Sequence, residues 1–114
     1  MSVSFGGIGE IFASFDAADG LAAAGPVKMS ANGTVSACAE GDRFCGVAAH
    51  VTDDGIATVQ LKGYVRCAYT GTAPGVGYTK LAAGAAGAVA VSADGGEYLV
   101  VDVDTADATV GFIM

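Results

Sequence analysis

The chain has 114 residues, 12 acidic against 5 basic side chains, and a net charge of −7. That balance argues against nucleic acid or an anionic membrane as a partner, since both need clustered Lys and Arg. One domain with a modest core is expected at this length. Much of the hydrophobic fraction is alanine, the bulky apolar residues are mainly valines, and 18 glycines with no tryptophan complete a strand-and-turn composition rather than a helical one. Neither a secretory signal nor a membrane-spanning run is expected from the pattern of charges and apolar residues.

Residues 1–20 carry Val3, Phe5, Ile8, Ile11, Phe12 and Phe15 among glycines at 6, 7 and 9. They read as an extended N-terminal arm or first strand, whose aromatics imply docking on this barrel or on a neighbour. The glycines make no dinucleotide fingerprint, because no strand precedes them. Residues 21–114 read as a single β domain. Asn32-Gly33 between two short extended pieces is a strong hairpin signal. Residues 44–51 read as a strand and 52–55 as a turn. Residues 56–69 show the longest clean alternation in the chain. Val59, Leu61, Val65, Cys67 and Tyr69 fall on one side, and Thr58, Gln60, Lys62, Tyr64 and Arg66 on the other. This predicts one long strand, with Gly63 able to bend or bulge it.

After the Gly/Pro loop at 70–77 the pattern repeats, Lys28-Met-Ser-Ala31 against Lys80-Leu-Ala-Ala83, and residues 51–59 against 103–110 with one residue fewer in the second turn. The duplicated stretches are about 25–65 and 77–114. Residues 81–91 read as a hairpin, and Leu99, Val101 and Val103 as an inward row with Asp102 and Asp104 outward. The fold expected is all-β: a small β-barrel or β-sandwich built from two related halves.

Chemistry is sparse. Cys38, Cys45 and Cys67 lack metal-ligand spacing and read as small buried thiols. His50 lies in a strand with no nucleophile motif nearby and reads as a structural or surface histidine. Asp102, Asp104 and Asp107 miss the calcium-loop pattern and read as a solvated acidic turn. No cofactor, metal or catalytic residue is expected. The outward row Lys62, Tyr64, Arg66 is a cationic stripe with an aromatic centre, a combination enriched at protein contacts.

Several stretches together resemble the capsid cement, or head decoration, proteins of tailed bacteriophages. They are Gly25-Pro-Val-Lys-Met with Asn32-Gly-Thr-Val-Ser, Gly41-Asp-Arg-Phe-Cys-Gly-Val47 and Ala57-Thr-Val-Gln-Leu-Lys-Gly-Tyr-Val65. Thr70-Gly-Thr-Ala-Pro-Gly-Val-Gly-Tyr78, Glu97-Tyr-Leu-Val-Val-Asp-Val-Asp104 and Thr109-Val-Gly-Phe-Ile113 complete the set. The resemblance covers residues 20–114. It implies a virion structural protein without enzymatic activity, made in the host cytoplasm and placed on the outer capsid surface. The major capsid protein would be its partner, with self-association as a homotrimer and no nucleic acid or membrane contact. Candidate contacts are Phe5, Ile8, Phe12, Phe15, Lys62, Tyr64 and Arg66. The rival readings are another virion part (neck, tail or fibre tip) and a carbohydrate-binding module stacking sugars on Tyr64, Tyr69, Tyr78 and Tyr98.

Overall fold

Valine-rich segments punctuated by Gly, Asn and Asp turns fold into strands, because β-branched side chains suit a pleated surface and glycine closes the turns. The computed structural model describes residues 9–21 and 25–114. Its strands are β1 (Ile11–Ala17), β2 (Gly25–Ala31), β3 (Thr34–Ala37), β4 (Gly46–Val51), β5 (Ile56–Lys62), β6 (Tyr64–Ala68), β7 (Gly77–Ala83), β8 (Val89–Val91), β9 (Gly96–Asp104) and β10 (Thr109–Ile113). The one helical element among the described residues is a 3-10 turn at Ala85–Gly87, inside the hairpin of β7 and β8. The protein is all-β.

The strands form two units. The first is a closed barrel in the order β1-β3-β2-β4-β5. Its seam is a short parallel pairing of β1 and β3 at Asp16 with Thr34 and Ala17 with Val35. The second is a five-stranded sheet in the order β6-β10-β9-β7-β8. Its outer strands meet through a parallel bridge, Tyr69 to Val89, and the Thr70 N–H donates to the Val89 carbonyl at 2.9 Å.

The two units repeat one pairing scheme. Gly25, Pro26 and Val27 face Ala48, Val47 and Gly46; 52 positions on, Gly77, Tyr78 and Thr79 face Val100, Leu99 and Tyr98. Phe12, Ala13 and Ser14 face Gln60, Val59 and Thr58, and Tyr64, Val65 and Arg66 face Ile113, Phe112 and Gly111 in the same way. So β1 is the counterpart of β6. The last turn differs from the sequence expectation. Thr52 N–H donates to the Ile56 carbonyl over residues 53–55, whereas Asp104 pairs with Thr109 over residues 105–108. The second turn is one residue longer, not shorter. Aligning like residues, Ala57-Thr-Val59 on Ala108-Thr-Val110, hides this, because Ala108 belongs to the turn, where it takes φ 53°.

Three more expectations are corrected. The alternating stretch 56–69 is two strands, not one: β5 closes the first barrel and β6 opens the second sheet. They meet at Gly63, whose φ of 103° lies where side-chain-bearing residues are strained. Gly63 and Met114 exchange hydrogen bonds, at 3.5 Å and 3.0 Å, to start the β6–β10 ladder. The inner row survives the bend but feeds two cores: Ala57, Val59 and Leu61 pack in the first, Val65, Cys67 and Tyr69 in the second. On β9, Val100 is fully buried while Leu99 and Val101 are only partly buried. A bulge opposite Gly111 and Phe112 skips Val101, and one extra residue reverses which side chains face inward. Finally, Cys45 is exposed rather than buried.

The cores are joined by the first half. Residues 38–45, between β3 and β4, are the long counterpart of the tight turn 92–95. The Gly41 N–H donates to the Ala83 carbonyl and the Ala83 N–H to the Asp42 carbonyl, both at 2.8 Å, which pins this loop along β7. Phe44 thereby enters the second core with Leu81, Val89, Val100, Val110 and Phe112. Its ring stacks on Tyr98 with centroids 5.3 Å apart and interplanar angle 17°. The start of β4 is buried on both faces, Ala48 pointing into the first core and Val47 into the second, while Ala49 and His50 are exposed.

Candidate functional site

The arm, the outward row and the tyrosines are the sequence-derived candidates, and the structure separates them. Phe5 and Ile8 lie outside the described residues. Phe12 stands outward on β1, 48% exposed, beside Ile11 at 54%. Phe15 points inward and packs against the first core, so it supports the barrel rather than offering a contact.

The row Lys62, Tyr64, Arg66 is divided by Gly63. Lys62 ends β5 and is exposed. Arg66 faces Gly111, which in turn faces Asp102 on β9. Glycine in the middle strand leaves a gap through which Arg66 Nη1 reaches the Asp102 carboxylate at 2.7 Å. That hydrogen bond, then one from Arg66 to the Tyr64 hydroxyl at 3.4 Å, raises the guanidinium pKa further above its ordinary value. The Tyr64 ring lies over Gly111, where a Cβ would meet its hydroxyl oxygen at 2.3 Å. So Arg66 is already neutralised by a partner, and among the described residues Lys62 is the cation of the stripe without an ion pair.

Gln60, expected outward and solvated, is 7% exposed. It lies where the outer face of β5 meets the second half. Its Nε2 donates to the Lys62 carbonyl at 3.1 Å and the Tyr64 carbonyl at 2.8 Å, bracing the corner on both sides of Gly63. Gln60→Leu keeps the volume and strands two carbonyls. We expect a loss of about 1–3 kcal/mol in urea unfolding, with the slope unchanged.

The tyrosines share no face. Tyr98 is stacked in the second core and Tyr69 packs against it, whereas Tyr78 is 73% exposed on β7 and Tyr64 covers β10. The acidic turn is also accounted for: Asp104 Oδ1 accepts from the Ala106 and Asp107 N–H groups at 3.0 Å and 3.2 Å. Among the described residues no group of three or more His, Cys, Asp or Glu gathers as a metal site. Burial pushes the Cys38 and Cys67 thiols up to about 11, which keeps them protonated and unreactive at neutral pH.

A different constellation emerges between the halves. An open cleft of about 680 Å³ is walled by Met29, Phe44, Leu61, Tyr98 and Met114. Lys28, Arg43 and Lys62 open onto it, three of the five basic residues, with one carboxylate, Glu97. Lys28 Nζ pairs with Asp42 Oδ2 at 2.6 Å, and Asp42 also accepts from the Ala39 N–H at 2.9 Å. The Lys28 hydrogen bond leads in holding the Asp42 carboxyl below its ordinary value and lifting the Lys28 ammonium above its own. Arg43 and Lys62 are both exposed and have no ion-pair partner among the described residues. The sequence reading missed this site because its cations come from β2, the 38–45 loop and the end of β5. The available signal was scarcity: few basic residues in an acidic chain. Compared with known proteins, the chain matches no family model and no curated protein sequence.

Proposed function

We propose that this protein is a structural subunit of a bacteriophage virion that binds the outer surface of the capsid and stabilises it, self-associating there as a trimer. It acts by contact area and repetition, without a chemical step. The observation that carries the reading is the outer face at the start of β1. Ile11 and Phe12, about half exposed, stand on a strand locked into a closed barrel by its pairing with β5. Large apolar side chains held outward on a rigid frame favour a second surface as their cover. In sequence they continue directly from Val3, Phe5 and Ile8. The identity of that surface rests on the resemblance to cement proteins. A shell needs many copies of a modest contact, and repetition multiplies each one.

The test is cosedimentation with heads assembled from the major capsid protein encoded nearest its gene. Deleting 2–15, the whole aromatic stretch, would remove most of β1 and open the first barrel, so the clean truncation stops at residue 9. Ile11→Ser with Phe12→Ser should lower head affinity about tenfold or more, because central apolar contacts dominate such interfaces. The circular dichroism spectrum should stay unchanged. Undiminished occupancy of the double variant would remove the proposed face. Binding to purified tails in place of heads would favour a neck, tail or fibre role.

A further inference from the structure

We propose that the cationic cleft between the halves receives the acidic β4–β5 turn of a second copy of this chain, giving a head-to-tail contact. The argument begins with charge. Arg43 and Lys62 are exposed cations of one cleft without an ion-pair partner among the described residues, and their apolar surroundings make a bound carboxylate stronger than it would be on an open face. Elsewhere the surface has Arg66, held by Asp102, and Lys80, which faces Glu97 across the β7–β9 ladder. A second copy therefore presents mostly negative surface, and this cleft is where that surface is attracted rather than repelled.

One acidic element fits best. Asp53 and Asp54 are both exposed at the tip of the three-residue turn and have no ion-pair partner among the described residues. The equivalent turn in the second half carries one carboxylate at its tip, Asp107, instead of two, since Asp104 accepts from the Ala106 and Asp107 N–H groups and Asp102 is held by Arg66. The two complementary features lie at opposite ends of β5: the tip precedes Ile56, and Lys62 closes the strand at the cleft. Seven strand residues set them about 20 Å apart. A chain cannot fold its own tip into its own cleft across a rigid strand, so the contact is between copies. Because the two surfaces differ, the contact is heterologous and closes into a ring or runs on as an open array.

This inference rests on the self-association part of the function proposed above. Sedimentation of the isolated protein tests it without capsids, so its failure is distinct from failure of head binding. The wild-type chain should associate over a dilution series, and more weakly as salt screens the contact. Arg43→Glu with Lys62→Glu, and separately Asp53→Lys with Asp54→Lys, should each weaken association at least tenfold. Mixing the two variants should restore association as alternating assemblies, since the acidic tip of one meets the cationic cleft of the other and the Lys tip meets the Glu cleft. Combining all four substitutions in one chain should restore full association. A wild-type chain that stays monomeric throughout overturns the proposal. So does association that only the cleft variant weakens, which would assign the cleft to an acidic segment of another protein, or that neither variant weakens.

Discussion

Replacing Phe44 with alanine is expected to cost about 3–5 kcal/mol of unfolding free energy, the range for removing a buried aromatic from a core that cannot collapse around the gap. Phe44 is 3% exposed and stacks on Tyr98, with Phe112 a further 6.2 Å centroid-to-centroid contact. Tyr98 and Phe112 are themselves 5.4 Å apart, so the ring completes a three-membered aromatic cluster. Its position makes the substitution more than a cavity. The ring comes from the first half's loop and fills the second half's core, so its loss also loosens the junction. Guanidinium unfolding monitored by tyrosine fluorescence and by circular dichroism should therefore show two effects. The midpoint should fall, and the two probes, coincident in the wild type, should separate as the halves uncouple. A cost under about 1 kcal/mol would show that the halves are held together by something other than this ring.

The second large effect is expected from a single methyl group. Gly95→Ala would place a Cβ 2.2 Å from the Leu81 carbonyl oxygen and 2.4 Å from its carbon. Both obstacles are backbone, so no rotamer change relieves them. Leu81 is fully buried and pairs with Val91 and Gly96 on either side, which ties the strand in place. The tight turn at 92–95 must shift as a whole, and we expect a loss of about 3 kcal/mol or more by thermal or urea unfolding. Gly71→Ala is the contrast in space: nothing lies within 4 Å of its Cβ, and only its φ of 77° opposes the change. That variant should lose about 1–2 kcal/mol, the cost of the left-handed conformation alone. Gly95 does not have a positive φ, so a loss there no larger than at Gly71 would show that the Leu81 strand gives way to the added methyl.

Much of the fold is legible in the sequence for a definite reason. Alternation reports which side chains face inward, and glycine reports where the chain must turn, so strand identity and duplication both show. What alternation cannot report is which sheet a strand joins. Residues 56–69 keep one inward row through Gly63, although the row serves two cores, because a bend at an odd position preserves the period of two. A bulge breaks that period without any mark in composition, which is why Leu99 and Val101 read as core and Val100 is core. The candidate site is less legible still. Lys62 and Arg66 are near neighbours in sequence, yet Gly111 gives Arg66 to Asp102. Lys28, Arg43 and Lys62 are far apart in sequence and meet only because the 38–45 loop crosses to β7. Gln60 sits on the outward row of its strand, and alternation along one strand carries no trace of the second half that covers it.

The loan of Phe44 also has a direction in time. Every buried member of the first core, from Val27 to Val59, has been translated by the time β5 is made. The second unit then leaves the ribosome over several seconds, at roughly 5–20 residues per second. It meets a finished neighbour that already carries the ring its own core lacks. The earlier half is thus a template for the later one, and the dependence does not run equally the other way. Expressed alone, residues 64–114 should fail to fold, whereas the leading half would fold with Phe44 and Val47 left bare, a patch awaiting the rest of the chain.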